Sequence, residues 1–99
     1  MKIDTKVDGG RLVIKVDGRL DTNTSPDLEA AMDLDGVNEI VFDFVDLEYI
    51  SSAGLRILMT AQKQMTACGG KMSVANPNAT VKGVFDITGM NSVFNVVES

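Results

Sequence analysis

The sequence contains no histidine and a single cysteine, and none of its apolar runs approaches the ~20 residues that span a bilayer. Each absence removes a class of chemistry. Without histidine, Ser-His-Asp and Cys-His arrangements are excluded, and only carboxylates or lysines remain as general bases. The usual zinc ligand sets go with them, and lone Cys68 has no partner for an internal disulfide. Cys68 reads instead as a small buried hydrophobe. The chain also lacks a basic stripe: Lys2, Lys6, Lys15, Lys63, Lys71 and Lys82 are scattered, and the formal net charge is −5. Counterion release from nucleic acid therefore has nothing to work with, and neither DNA nor RNA is expected as a partner. Met1 leads into an alternating Ile3, Thr5, Val7 pattern rather than a signal peptide. The expectation is a cytoplasmic protein with no membrane partner, no cofactor and no structural metal.

What is present is ordinary globular composition, 44% hydrophobic and 23% charged over 99 residues. One domain over residues 1–99 is expected, burying about 65% of the surface that the unfolded chain exposes. Residues 2–8 and 11–17 read as two strands around Asp8-Gly9-Gly10, a turn whose glycines supply positive φ, so a hairpin opens the fold. Leu12, Ile14 and Val16 form its core face by alternation. Ser25-Pro26 predicts the start of a first helix with Ser25 as cap and Leu28, Ala31 and Met32 as its apolar stripe, closing near residues 33–36. A third strand follows at 39–44, a second helix at about 53–67 stopped by Gly69-Gly70, and a fourth strand at 71–75. Asn78 caps a third helix ending at Gly89, and Val93, Phe94, Val96 and Val97 make a last strand. The order β-β-α-β-α-β-α-β predicts an α/β fold: a mixed, largely parallel sheet of about five strands with the helices mainly on one face.

The chain is organised around Asp46-Leu-Glu-Tyr-Ile-Ser-Ser-Ala-Gly-Leu-Arg56, where a buried strand gives way to a long amphipathic helix through two hydroxyl residues and a glycine. Three roles compete for Ser52. As an N-cap it contributes ~1 kcal/mol. As a nucleophile it lacks both a base and the Gly-x-Ser-x-Gly elbow. As a phosphoacceptor it would carry about −1.5 to −2 charge at the positive end of a helix dipole, changing the surface far more than the core. Gly69-Gly70-Lys71 lies between a helix and a strand, the reverse of a phosphate loop, and is a helix stop. Asp21, Asp43, Asp46 and Glu48 read as turn, cap and edge residues rather than as a metal site.

These residues resemble the phosphorylation-site segment of bacterial anti-sigma-factor antagonists, the STAS domain family. Gly18-Arg-Leu-Asp21 is similar to the loop that lies beside the acceptor in that family, and residues 81–90 resemble its third helix and following turn. The resemblance implies a STAS-type fold and a binding protein, not an enzyme. It implies phosphorylation at Ser52 by a partner anti-sigma factor with serine kinase activity, and a phosphatase for the phosphoserine form. In the unphosphorylated form the protein would bind that kinase and free a sigma factor. Partner contacts would fall on Asp21, Thr22, Asn23, Ser51, Ser52, Leu55 and Arg56. Ser51 stands where typical members have aspartate, and Arg56 where glycine is commoner. The alternative implied by the Ser51 replacement is a constitutive STAS subunit of a transporter or signalling assembly, without phosphorylation.

Overall fold

The computed structural model describes residues 1–98. Strands β1 (Lys2–Asp8) and β2 (Arg11–Leu20) form the opening hairpin, closed by Gly9 and Gly10 at φ 57° and 87°, the conformation of a two-residue type I′ turn. Helix α1 (Ser25–Ala31) leads to β3 (Glu39–Asp43) and β4 (Leu47–Ile50). Helix α2 (Ser52–Ala67), β5 (Lys71–Ala75), α3 (Ala79–Thr88), a 3₁₀ turn at Met90–Ser92 and β6 (Asn95–Val97) complete the order. The sheet runs β1-β2-β3-β5-β6, with β1 antiparallel to β2 and the other pairs parallel.

Alternation decides which face is covered. Leu12 and Ile14 of β2 lie in register with Ile40 and Phe42 of β3, and these with Met72 and Val74 of β5; all are buried, as is Val16 on the same face of β2. The helices close over this face, bringing Leu28, Leu58, Ala61, Met65, Val81 and Phe85 into one core. Phe85 meets Phe94 edge to face at 5.4 Å between ring centroids. The reverse face carries Lys15, Asp43 and Ser73, all half-buried, beside Val13 and Val41, and among the described residues the core cluster lies on the other side. An antiparallel or mixed sheet can leave one face in water where polar residues share it, as Lys15, Asp43 and Ser73 do here.

The expected architecture holds, with one strand more. Leu47–Ile50 pairs in parallel with the far end of β2, Gly18 to Leu47 and Leu20 to Ile50, after a register shift at Gly18/Arg19. Gly18 at φ 110° absorbs the irregularity, which lets β2 leave β3 and take β4 as its neighbour. Three further expectations need correcting. Helix α1 takes Thr24 as its N-cap position, and Ser25 is a buried first-turn residue. Cys68 is exposed, because the helix end places it just before the Gly69 turn on the outer side. The last strand is shorter than residues 93–97: Phe94 N–H donates to Met90 C=O and holds 93 and 94 in the preceding turn.

Candidate functional site

Two chain reversals meet at one end of the sheet, where β2 enters α1 and β4 enters α2. The first is tightly bonded. Asp21 Oδ1 accepts from Asn23 N–H at 2.9 Å and Thr24 N–H at 3.1 Å, an Asx-type turn. Thr24 Oγ1 donates to Arg19 C=O at 2.7 Å and accepts from Asp21 N–H at 2.9 Å. Ser25 donates both its Oγ hydrogen and its N–H to Asp21 C=O. The backbone bond from Thr24 is the main reason the Asp21 carboxyl is held below its ordinary value, against a smaller opposing effect of burial. Thr22 and Asn23 are exposed at the tip.

The second reversal divides its two serines. Ser51, extended at φ −96° and ψ 176°, is the N-cap, and its Oγ accepts from Gly54 N–H at 3.4 Å. Its own N–H donates to Leu20 C=O at 2.8 Å, fastening the start of α2 to the end of β2. Ser52 is the first helical residue, is exposed, and among the described residues its hydroxyl makes no hydrogen bond. Capping therefore belongs to Ser51, not Ser52, which leaves the second hydroxyl free.

Gly54 explains why the pattern needs a glycine two residues later. A Cβ there would lie 2.8 Å from Leu20 Cγ and 2.9 Å from Ile50 Cγ1. The first turn of α2 thus sits directly against the ends of β2 and β4, which fixes where Ser52 projects. Leu55 is 5% exposed and packs into the core, so it supports this surface from beneath. Arg56 is exposed one turn after Ser52, and among the described residues its guanidinium has no ion pair. Between α1 and α2 lies a shallow groove of about 180 Å³, with Thr22, Pro26 and Glu29 on one wall and Ala53, Arg56 and Ile57 on the other.

Asp46 pairs with Lys15 at 3.3 Å, and Asp43 Oδ1 accepts from Val45 N–H at 3.2 Å. The Asp46 hydrogen bond is the main reason the Lys15 ammonium is raised above its ordinary value. Asp21, Asp43 and Asp46 are thus engaged separately, and among the described residues no three acids cluster as metal ligands. No helix among the described residues is long and apolar enough to cross a membrane. Sequence reasoning missed the stack of Arg19 over Tyr49, 4.7 Å from guanidinium carbon to ring centroid. Its signal was the cross-strand register of β2 with β4, invisible while β4 was unrecognised.

The STAS domain model matches residues 2–99. Among curated relatives, BtrV of Bordetella bronchiseptica, which carries the name of an anti-sigma factor antagonist, is 33% identical over 102 residues, spanning 100% of this chain and 88% of that protein. The anti-sigma F factor antagonist of Paenibacillus polymyxa is 23% identical over 103 residues, with coverage of 100% and 88%. In solved structures, unphosphorylated SpoIIAA superposes with a TM-score of 0.86 at 21% identity, covering 99% of this chain and 88% of that one. A family model matching nearly the whole chain, and a relative 33% identical over all of it, lead to one conclusion: the chain belongs to the STAS domain family.

Proposed function

We propose that this protein is an anti-sigma factor antagonist switched by phosphorylation of Ser52, a binding protein rather than an enzyme. The observation that carries the proposal is the division of labour at α2: Ser51 supplies the cap, so Ser52 presents a free hydroxyl that the fold does not use. Unphosphorylated, the surface formed by Thr22, Asn23, Ser52 and Arg56 docks on an anti-sigma factor with serine kinase activity and releases the sigma factor. That kinase writes phosphate on Ser52, and a phosphatase removes it. A dianion at this position repels a docking face shaped for a neutral hydroxyl, while the positive end of the α2 dipole keeps the fold intact. SpoIIAA, solved in both unphosphorylated and phosphorylated forms, matches this chain in both, with TM-scores of 0.86 and 0.78.

Isothermal titration of the anti-sigma factor with wild type and Ser52→Asp tests the docking half of the proposal. Weakening of about tenfold or more in Ser52→Asp is expected, since a charge buried at an interface without a partner is costly. Unchanged affinity would replace the switch with a constitutive STAS interaction subunit.

A further inference from the structure

The outer edge of β1 is unpaired along its length. Among the described residues β1 bonds only to β2, and its side chains are exposed apart from half-buried Ile3. The hairpin turn determines which groups face outward. A two-residue turn closes on a hydrogen-bonded pair, here Asp8 with Arg11, and bonded pairs then alternate along the ladder. Lys2, Asp4, Lys6 and Asp8 accordingly turn their backbone groups toward β2. Ile3, Thr5 and Val7 turn theirs outward.

The side chains alternate in the same rhythm. Ile3 and Val7 lie opposite Val16 and Leu12, on the helix-covered side, and Val7 remains 66% exposed. Lys2, Asp4, Lys6 and Asp8 lie on the open side, a strict alternation of positive and negative. Charges on an edge strand usually keep other strands away. This arrangement admits one of them.

We infer that β1 is a self-complementary edge whose partner is the β1 strand of a second copy, paired antiparallel about a two-fold axis at Thr5. In that register Lys2 faces Asp8 of the second copy and Asp4 faces Lys6, and the two-fold repeats both pairs. Ile3 faces Val7, joining two apolar side chains on the helix side. The backbone agrees independently of the charges. Thr5 with Thr5, and Ile3 with Val7, become the hydrogen-bonded pairs, and these are the residues whose N–H and C=O already point outward. The lysine–aspartate pairs fall at the non-bonded positions, where side chains approach more closely.

Neighbouring registers are penalised. Sliding by two residues one way sets Asp4 against Asp4 and Lys2 against Lys6; sliding the other way sets Lys6 against Lys6 and Asp4 against Asp8. A slide by one residue opposes outward-facing to inward-facing backbone groups and forms no ladder. Parallel pairing in register stacks like charges throughout. The second copy extends the sheet across the axis, with both helix layers on the same side. A contact one strand long is small for a stable interface and gives a concentration-dependent equilibrium.

Sedimentation equilibrium of the full chain between about 10 µM and 1 mM tests the inference over the range of weak association. A monomer–dimer equilibrium is expected. Thr5→Pro removes an outward N–H without touching the bonds to β2, so it should keep the fold and abolish the dimer. Lys6→Asp alone and Asp4→Lys alone should each weaken self-association about tenfold. Mixed together they should associate again, because each supplies the charge the other has lost. In a Cys68→Ser background, Thr5→Cys should oxidise to a covalent dimer, since a hydrogen-bonded antiparallel pair holds Cα atoms about 5.5 Å apart, within disulfide range. A chain monomeric up to about 1 mM, or a dimer indifferent to Thr5→Pro and to both charge changes, would overturn the inference.

Discussion

The starts of α1 and α2 flank the same surface, and both are built from adjacent hydroxyl residues, yet they are opposite in their accounting. At α1, Thr24 and Ser25 are fully committed: Thr24 Oγ1 bonds within the Asp21 turn, and Ser25 is 3% exposed with its hydroxyl on Asp21 C=O. At α2, Ser51 is committed and Ser52 is not. A hydroxyl consumed by the backbone is part of the fold, and one left unpaired at an exposed helix start is available to chemistry. Residue type alone does not separate the two. Hydrogen-bond bookkeeping does.

Substitutions at the two junctions sharpen this contrast, beginning with the strongest. Gly54→Ala forces a Cβ to within 3 Å of Leu20 and Ile50 side-chain carbons. Overpacking of that kind costs about 1–3 kcal/mol, read as a lowered urea midpoint, and it displaces Ser52 as well. Thr24→Ala removes the acceptor for Asp21 N–H and the donor to Arg19 C=O, a loss of about 1 kcal/mol in the same assay. Ser51→Ala deletes a long cap bond of 3.4 Å, which places it at the low end for caps, about 0.5 kcal/mol. Ser52→Ala should stay within about 0.5 kcal/mol of wild type, as an exposed unpaired side chain allows.

The smallest effect is the titration of the α1 turn. The Asp21 carboxyl is held below its ordinary value of 3.8, chiefly by the backbone bond from Thr24. A folded-state value below the unfolded one means that unfolding takes up a proton in this window. The stabilisation from Asp21 is therefore fully present above 3.8 and is lost as pH falls through the lower folded value. Melting curves of wild type and Asp21→Asn should differ at neutral pH and converge under acid conditions. Among the described residues no corresponding acid-sensitive bond is found at the α2 start, where the cap is a serine.

Much of this was legible in the residues. Alternation in β2, the Asn78 cap and the Gly89 stop appear where the sequence places them: Asn78 Oδ1 accepts from Val81 N–H at 2.8 Å, and Gly89 lies at φ 76°. Residues 47–50 escaped because a four-residue strand is too short to show a period, and its pairing depends on an irregularity at Gly18 some thirty positions earlier. The same long-range pairing supplies Asn78 Nδ2 with its acceptors, Leu47 C=O and Glu48 C=O at 3.0 and 3.3 Å. In the site, Asp21, Ser51 and Ser52 were legible as types, but which serine caps depends on the φ and ψ of Ser51. Leu55, expected among the partner contacts, is buried, because position on a helix face does not tell what lies beneath it.

Under the proposed switch Ser52, and not its neighbour, is the residue the partner modifies. Phosphosite mapping after incubation with the cognate anti-sigma factor kinase and ATP tests it most directly, using wild type, Ser51→Ala and Ser52→Ala. A single phosphate on Ser52, retained in Ser51→Ala and absent from Ser52→Ala, is the predicted result. Phosphate on Ser51, or undiminished incorporation in Ser52→Ala, would contradict it.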